Sequence, residues 1–337
     1  MKHKMIALIL IVLMMMEVSA AFATEIVITL GGDCVLGTRE KWKKNDDTFD
    51  TVIREKGVGW CFEAIKQPFQ TDDMSLINLE VVLQEHSKGH LSDKQYTFRG
   101  DPGYTDILKA AGIEQVNIAN NHYIDFGKTG QQSTREALEA GAVFFSGYGT
   151  CYIYENSGIK IGFAGSRETT WRGNKQPMLD DLQTLKDAGC DMIIYSCHWG
   201  EEYSPKHNRR QEKMADFAIE NGADIIVGTH PHCVQGIQRR GNGVVIYSLG
   251  NLVFGGTHDM RTFDAVVMQA VLSFGEEGYE GVTLRLMPVL TSSARPDNNF
   301  RPEWAKDEDY ERIMKLIQKD SKIDITDEIW FENKASK

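Results

Sequence analysis

The stretch Ile225-Ile226-Val227-Gly228-Thr229-His230-Pro231-His232-Cys233-Val234-Gln235 decides how the chain is read. Its apolar start, Ile225 to Val227, has the length and β-branching of a buried strand, and Gly228 closes it. Two histidines separated by one proline follow at once. Proline fixes its own φ and drives His230 towards an extended backbone, so both imidazoles are predicted to sit on a stiff loop. Open α/β sheets bind ligands beyond the carboxyl ends of their strands. A His-x-His placed there suits a divalent metal, although two polar loop histidines give the same pattern.

Working outward, the arrangement recurs. Residues 25–30 are β-branched and end in Gly31-Gly32-Asp33, where the glycines are expected to let the chain turn sharply and present the carboxylate. Residues 74–79 end on Asn78-Leu79-Glu80, and period-two alternation puts Asn78 and Glu80 on one face. A carboxylate on a buried strand needs a cation or a donor. Residues 114–118 run into Asn120-Asn121-His122, with Asp125 three residues beyond. An asparagine carbonyl is a hard oxygen donor, and the adjacent histidine can serve as a general acid. Asp125 is placed to hold one ring nitrogen and raise the imidazole pKa. Residues 192–197 lead to His198-Trp199-Gly200-Glu201-Glu202-Tyr203, and residues 244–247 to Ser248-Leu249-Gly250-Asn251.

Five buried strands therefore end in Asp33, in Glu80, in Asn121 with His122, in His198, and in His230 with His232. In an α/β sheet such ends converge along one edge. Nitrogen and oxygen donors without obligatory thiolate suit Mn, Zn or Fe, and a shared carboxylate bridges two ions about 4 Å apart. Lys206, Arg209, Arg210, Arg239 and Arg240 flank the histidine motifs. They are read either as holding an anionic chain or as solvated surface charge.

Between the motifs, helices are expected over residues 60–66, 103–111, 130–140, 179–188, 208–221 and 307–319. Residues 151–154 and 159–164 read as a hairpin, and 265–274 with 281–290 as antiparallel strands. Residues 41–50 read as a charged, exposed insertion and 84–94 as a polar loop.

The first 23 residues carry a basic start (Lys2, Lys4), a short apolar run and Ala21-Phe22-Ala23. That is the form of a cleaved secretory signal, with an uncleaved N-terminal membrane anchor as the rival. The apolar run falls short of the ~20 residues of a comfortable span. Removing Lys2, Lys4 and Glu17 leaves 35 basic against 47 acidic residues, a net charge of −12. Such acidity argues against nucleic acid as a partner. The six cysteines are too few for a disulfide scaffold of this size and read first as small buried hydrophobes, though disulfides stay open. The expected organisation is a signal peptide over 1–23, one α/β domain over 24–291 and a helical tail over 292–337, packed on the domain or extending it.

Gly32-Asp33 with Gly37, Asn78-Leu79-Glu80, Asn120-Asn121-His122 with Asp125 and Gly127, His198-Trp199-Gly200 with Glu202-Tyr203, Gly228 with His230-Pro231-His232 and Gln235, and Tyr247-Ser248-Leu249-Gly250-Asn251 resemble, in order and spacing, the capsule-synthesis protein CapA family, including PgsA-like poly-γ-glutamate proteins. The resemblance runs from about Ile26 to Phe254. It implies a fold similar to the calcineurin-like metallophosphoesterases, a four-layer α/β/β/α sandwich. It further implies Asp33, Glu80, Asn121, His198, His230 and His232 as ligands of one or two divalent ions, and His122 as general acid. Two departures stand out. The Asp-x-His of the wider phosphoesterases reads Asp33-Cys34-Val35 here, which weakens one ion site. Glu80 stands where aspartate is expected, which lengthens the bridge.

The function this implies is that of an exported CapA-type protein of capsule or poly-γ-glutamate metabolism with a metal-dependent hydrolase site. Its substrate would be an anionic envelope polymer or a phosphoester, held in part by Arg209, Arg210 and Asn251. The alternative is a non-hydrolytic binding or assembly subunit of a membrane synthase and export complex. It would be periplasmic or extracellular.

Overall fold

A computed structural model describes residues 24–334, so the segment read as a signal peptide lies outside the described residues. The apolar runs build two large sheets, and the fold class is α/β as the sequence predicts. The first sheet is nine-stranded and centred on Thr24–Val35, which lies parallel to Met74–Leu79 and antiparallel to Asp264–Gly275. Beyond Met74–Leu79 it continues in parallel through Gln115–Asn117 to Phe144–Ser146. The second sheet is six-stranded, in the order Ile237–Arg240, Gly243–Ile246, Ile225–Thr229, Met192–His198, Ile159–Arg167, Tyr152–Asn156. Its four central strands are parallel.

Alternation assigns each strand residue to one of three cores. Ile28, Leu30, Met74 and Leu76 of the first sheet share a core with Ile161, Phe163, Ile194 and Val227 of the second. Ile77, Leu79 and Val116, on the other face of the first sheet, are covered by helices Phe49–Lys56, Thr105–Ala111 and Gly127–Ala140. Ile193, Tyr195 and Ile226 of the second sheet are covered by Glu168–Gly173, Gln176–Asp187 and Arg209–Glu220. The motif residues continue the inter-sheet parity. Asn78 follows Met74 and Leu76, and His198 follows Met192 and Ile194, so both point into the seam between the sheets at its open end.

The structure departs from the sequence reading in several places. Residues 60–65 form turns, and the helix is Gln67–Thr71, started by Pro68 in its first turn. Gly31 and Gly32 do not turn the chain, because the strand runs on to Val35 with a register shift between Leu30 and Asp33. Their use is close approach. A Cβ on Gly32 would sit 2.0 Å from the Gly250 carbonyl, and the Asp33 N–H donates to that same oxygen at 2.9 Å. A small sheet of Thr38–Arg39, Val82–Leu83 and Phe98–Gly100 has no counterpart in the sequence reading, its strands being too short for periodicity to reveal.

Helix Asp307–Asp320 inserts Ile313 and Ile317 into the inter-sheet core, and Glu328–Glu332 adds a strand beside Gly278–Leu290. All six cysteines are free, with Cys34, Cys61, Cys197 and Cys233 buried. Among the described residues no helix is long and apolar enough to cross a membrane.

Candidate metal centre

The loop after Ile225–Thr229 is tied down from several sides. Asn208 caps helix Arg209–Glu220, accepting from Arg210 and Gln211 N–H, while the Gln211 side chain accepts from Asn208 N–H in return. The same Gln211 donates to Gln235 Oε1 at 2.9 Å, which anchors the end of the histidine loop. Its start is held by the His230 N–H, which donates to Asp33 Oδ2 at 3.1 Å. The expected extended backbone at His230 is not what forms. Its φ is +95° and that of His232 is +56°. Proline disfavours the helical region for the preceding residue but does not exclude positive φ, and here the hydrogen bonds select it. Left-handed backbone at non-glycine residues costs about 1–3 kcal/mol each and persists where surrounding contacts over-determine it.

The residues named from sequence meet at the seam. Asp33 and Glu80 are fully buried. Asp33 Oδ1 accepts from Asn78 Nδ2 at 2.7 Å, and Asp33 Oδ2 lies 3.3 Å from His232 Nδ1. Glu80 Oε1 lies 3.4 Å from His198 Nε2, and Oε2 lies 3.9 Å from His232 Nδ1. Asn121 Oδ1 is 2.6 Å from His198 Nε2, and the rings of His198 and His230 are 4.5 Å apart. His198 Nδ1 is engaged by Thr229 Oγ1 at 3.1 Å, and His232 Nδ1 by Asn251 Oδ1 at 2.9 Å.

Three sets of donor atoms are each close enough to share an ion: Glu80, His198 and His230; Asp33, Glu80 and His232; and Glu202, His230 and His232. Glu80 belongs to two of them. Both Glu80 oxygens and His230 Nδ1 are buried without any hydrogen-bond partner. Unsatisfied buried acceptors are costly, and a bound cation satisfies them. The donor set therefore fits a divalent metal on the evidence of its own unpartnered atoms. Cys34 and Val35, which replace the rest of an Asp-x-His, turn into the helix-covered core and offer nothing to the seam.

The charges fit the same reading. Burial, then the neighbouring His230 and His232, hold His198 well below the ordinary imidazole range. Burial and His232 pull His230 down to about 3, so its ring is neutral at neutral pH. Burial would also lower His232, but Glu80 and Asp33 outweigh it and push the ring up to about 10. Burial and the charge of Asp33 raise the Glu80 carboxyl well above its usual value.

His122 sits at the edge of this group. Its Nδ1 is 2.8 Å from Asp125 Oδ2, and its Nε2 faces Glu80 Oε1 at 4.0 Å. Burial lowers its pKa, against the opposing pull of Asp125. The expected net rise is thus reversed by desolvation. Asp125 is fully buried and is also held by the Phe98 N–H at 2.7 Å and by Lys94 Nζ. Phe98 packs against the His122 ring, tilted by 43° with centroids 4.3 Å apart. The small sheet thus buttresses His122.

The remaining sequence candidates lie elsewhere or act differently. Arg209 and Arg210 are exposed, and Arg210 is paired with Glu168 at 2.9 Å and Glu201 at 3.0 Å. Arg240 is paired with Asp216 and Glu212, and Arg239 lies over Phe331. Asn251 is 1% exposed, and its Oδ1 lies 2.9 Å from His232 Nδ1 at the cluster. Sequence reasoning missed Lys94, hidden in a loop read only as polar, and Thr229, inside the opening stretch itself. It also left Glu202 out of the ligand set, although Glu202 stands in the His198 motif.

This geometry can be set beside known proteins. The chain is similar to capsule biosynthesis protein CapA of Bacillus anthracis, at 26% identity over 89% of this chain and 77% of that protein. It is similar to PGA biosynthesis protein CapA of Bacillus subtilis (strain 168), at 27% identity over 73% and 69%. Among solved structures, a hypothetical protein from Thermus thermophilus aligns with a TM-score of 0.47 and 15% identity, covering 78% of this chain and 99% of that one. The family model described as bacterial capsule synthesis protein PGA_cap matches residues 27–256, well over half the chain, and takes in every residue of the cluster. The chain belongs to that family, the CapA family of capsule synthesis proteins.

Proposed function

We propose that this is an exported CapA-type protein of capsule or poly-γ-glutamate biosynthesis or processing that carries a metal-dependent hydrolase site. The observation that carries the site is the pair of unpartnered Glu80 oxygens, with unpartnered His230 Nδ1, in a buried ring of Asp33, His198 and His232. The polymer setting rests on the relatives' names. Two sheets sharing one core, each covered by helices, support the four-layer sandwich of metallo-dependent phosphatase type. Residues 24–291 are taken as the domain and 292–337 as a tail packed on it. Export rests on the form of the first 23 residues.

Asp33, Glu80 and His232 hold one divalent ion in this reading, and Glu80, Asn121, His198 and His230 a second; Mn, Zn or Fe suits the donors. When bound, such ions supply Lewis acidity to a phosphoryl or acyl oxygen. The chain's own residues do the rest. Asn78 and the His230 N–H fix the Asp33 carboxylate, while Thr229 and Asn251 fix the rings of His198 and His232. His122 presents Nε2 to the cluster with Nδ1 held by Asp125; Nε2 would take a proton from the attacking water and then give that proton to the leaving group.

Metal analysis of the purified protein, followed by phosphomonoester, phosphodiester and γ-glutamyl substrates on the metal-loaded form, tests this. Metal bound and one substrate class turned over is the expected result; a protein that takes up no divalent ion sinks it. A second reading, a non-catalytic binding or assembly subunit of a polymer synthesis and export complex, is favoured by the relatives' description as biosynthesis proteins, not hydrolases. Metal uptake with no turnover of any substrate selects it.

A further inference from the structure

Arg167 ends the strand Ile159–Arg167, and its register partner on the neighbouring strand is His198. Residues paired across parallel strands point to the same face. Ile161 and Phe163, of the same parity as Arg167, lie in the inter-sheet core, so Arg167 points into the seam as His198 does. The cleft thus has one more strand end, and this one carries a cation.

The guanidinium is half-buried, and it makes no ion pair among the described residues. Its Nη1 donates to Tyr148 Oη at 3.4 Å, and Tyr148 donates to the Asn120 carbonyl at 3.0 Å. Most of its N–H donors stay available. The acid next in sequence, Glu168, is engaged by Arg210, by Arg172 and by the Gly200 N–H. Its register pairing with His198 and its link through Tyr148 to the Asn120 carbonyl, one residue from Asn121, place Arg167 beside the ligand cluster. A guanidinium set against a cation-binding group is repelled by its neighbour. An oxyanion lying between them is attracted by both, and the planar fork of arginine matches such a group.

We propose that Arg167 binds an anionic oxygen group of the substrate, a phosphate or a carboxylate, at the edge of the histidine cluster. This deepens the reading of the cluster as a metal-assisted site and rests on it. It also moves anion binding from the exposed arginines suggested by sequence to one inside the seam.

The test uses the chain from Thr24 onward, loaded with manganese, with Arg167→Ala and Arg167→Lys variants. Each is titrated calorimetrically with inorganic phosphate and, separately, with a γ-linked glutamate oligomer; metal content and melting temperature are recorded alongside. Arg167→Ala is expected to keep its metal and to bind the anion about 10- to 100-fold more weakly, the worth of one charge-assisted hydrogen bond. Arg167→Lys, which keeps the charge and loses the fork, should fall between the two and serves if the alanine variant does not fold. Weakening of phosphate alone points to a phosphoester, and weakening of the oligomer alone to polymer carboxylates; either supports the proposal. Unchanged affinity for both probes, or no affinity of the wild type for either, overturns it. If the wild type takes up no metal, the metal reading fails separately. The same titrations on the metal-free chain then decide Arg167 by the same criterion.

Discussion

Two histidine–aspartate pairs in this molecule look alike and do different work. His122 Nδ1 meets Asp125 Oδ2 at 2.8 Å, and His207 Nδ1 meets Asp320 Oδ2 at 2.8 Å. Both aspartates are buried. The difference is at the far nitrogen. His207 Nε2 faces Gln238 Nε2 at 3.2 Å and Glu212 Oε1 at 3.5 Å, and the ring lies flat on Tyr247 at 3.8 Å. Asp320 also accepts from the N–H groups of His207 and Gly236, so this pair staples the C-terminal helix to the loops behind the site. Among the described residues His122 Nε2 makes no hydrogen bond and faces Glu80 Oε1 at 4.0 Å, across the seam that holds the ligand cluster. An aspartate partner orients a histidine in either setting. What the other nitrogen has left to offer separates a working ring from a structural one.

The largest effect that tests this contrast is on turnover. His122→Ala should lower it on the order of 10²–10⁴ with metal content unchanged, because a proton donor is not a ligand. His207→Ala should leave turnover per folded molecule alone and lower the melting temperature instead. Loss of metal from His122→Ala as severe as from His230→Ala would make His122 a ligand and collapse the distinction.

Next comes pH. His232 is pushed up to about 10, chiefly by the Glu80 and Asp33 carboxylates, so its ring holds a proton in the metal-free chain at neutral pH and must release it to bind an ion, while the raised Glu80 carboxyl adds to the competition from protons as pH falls. Raised pKa values mean that protons compete more strongly as pH falls. Metal affinity should therefore keep climbing from about pH 6 to about pH 9, by about tenfold per pH unit for each proton displaced. A plateau just above the ordinary histidine value of ~6.5 would show that His232 does not contribute.

Smaller effects separate the two aspartates. Asp125→Asn should cost turnover about tenfold through a misoriented His122 ring, with little change in metal. Asp320→Asn should cost about 1–3 kcal/mol of stability, read by denaturant titration, with turnover unchanged. The reverse pattern would exchange the roles of the pairs. Smallest of all, Arg210→Ala should change stability by no more than about 1 kcal/mol, since its guanidinium is exposed and the buried Glu168 keeps Arg172 and the Gly200 N–H as partners. A marked loss of anion binding in that variant would return the substrate to the exposed arginines.

Much of this was legible in the chain itself. Apolar runs followed by Asp33, Glu80, Asn121, His198 and His230 reveal parallel strands whose carboxyl ends carry ligands, because strand parity and end chemistry are local properties. What sequence alone could not decide depends on residues far apart in the chain. The Phe98 N–H and Lys94 holding Asp125, Asp320 holding His207, and Arg167 beside His198 are meetings that local pattern does not encode. Desolvation is likewise a property of the packed seam. It lowered the His122 pKa where the nearby aspartate alone predicted a rise, and it left Glu80 without a partner. Pro231 next to His230 predicted an extended backbone, whereas hydrogen bonds from across the fold imposed a positive φ. Sequence by itself determined which groups arrive at the seam. Only the tertiary structure decided which of them are already satisfied there, because satisfaction of a buried polar atom depends on every neighbour at once.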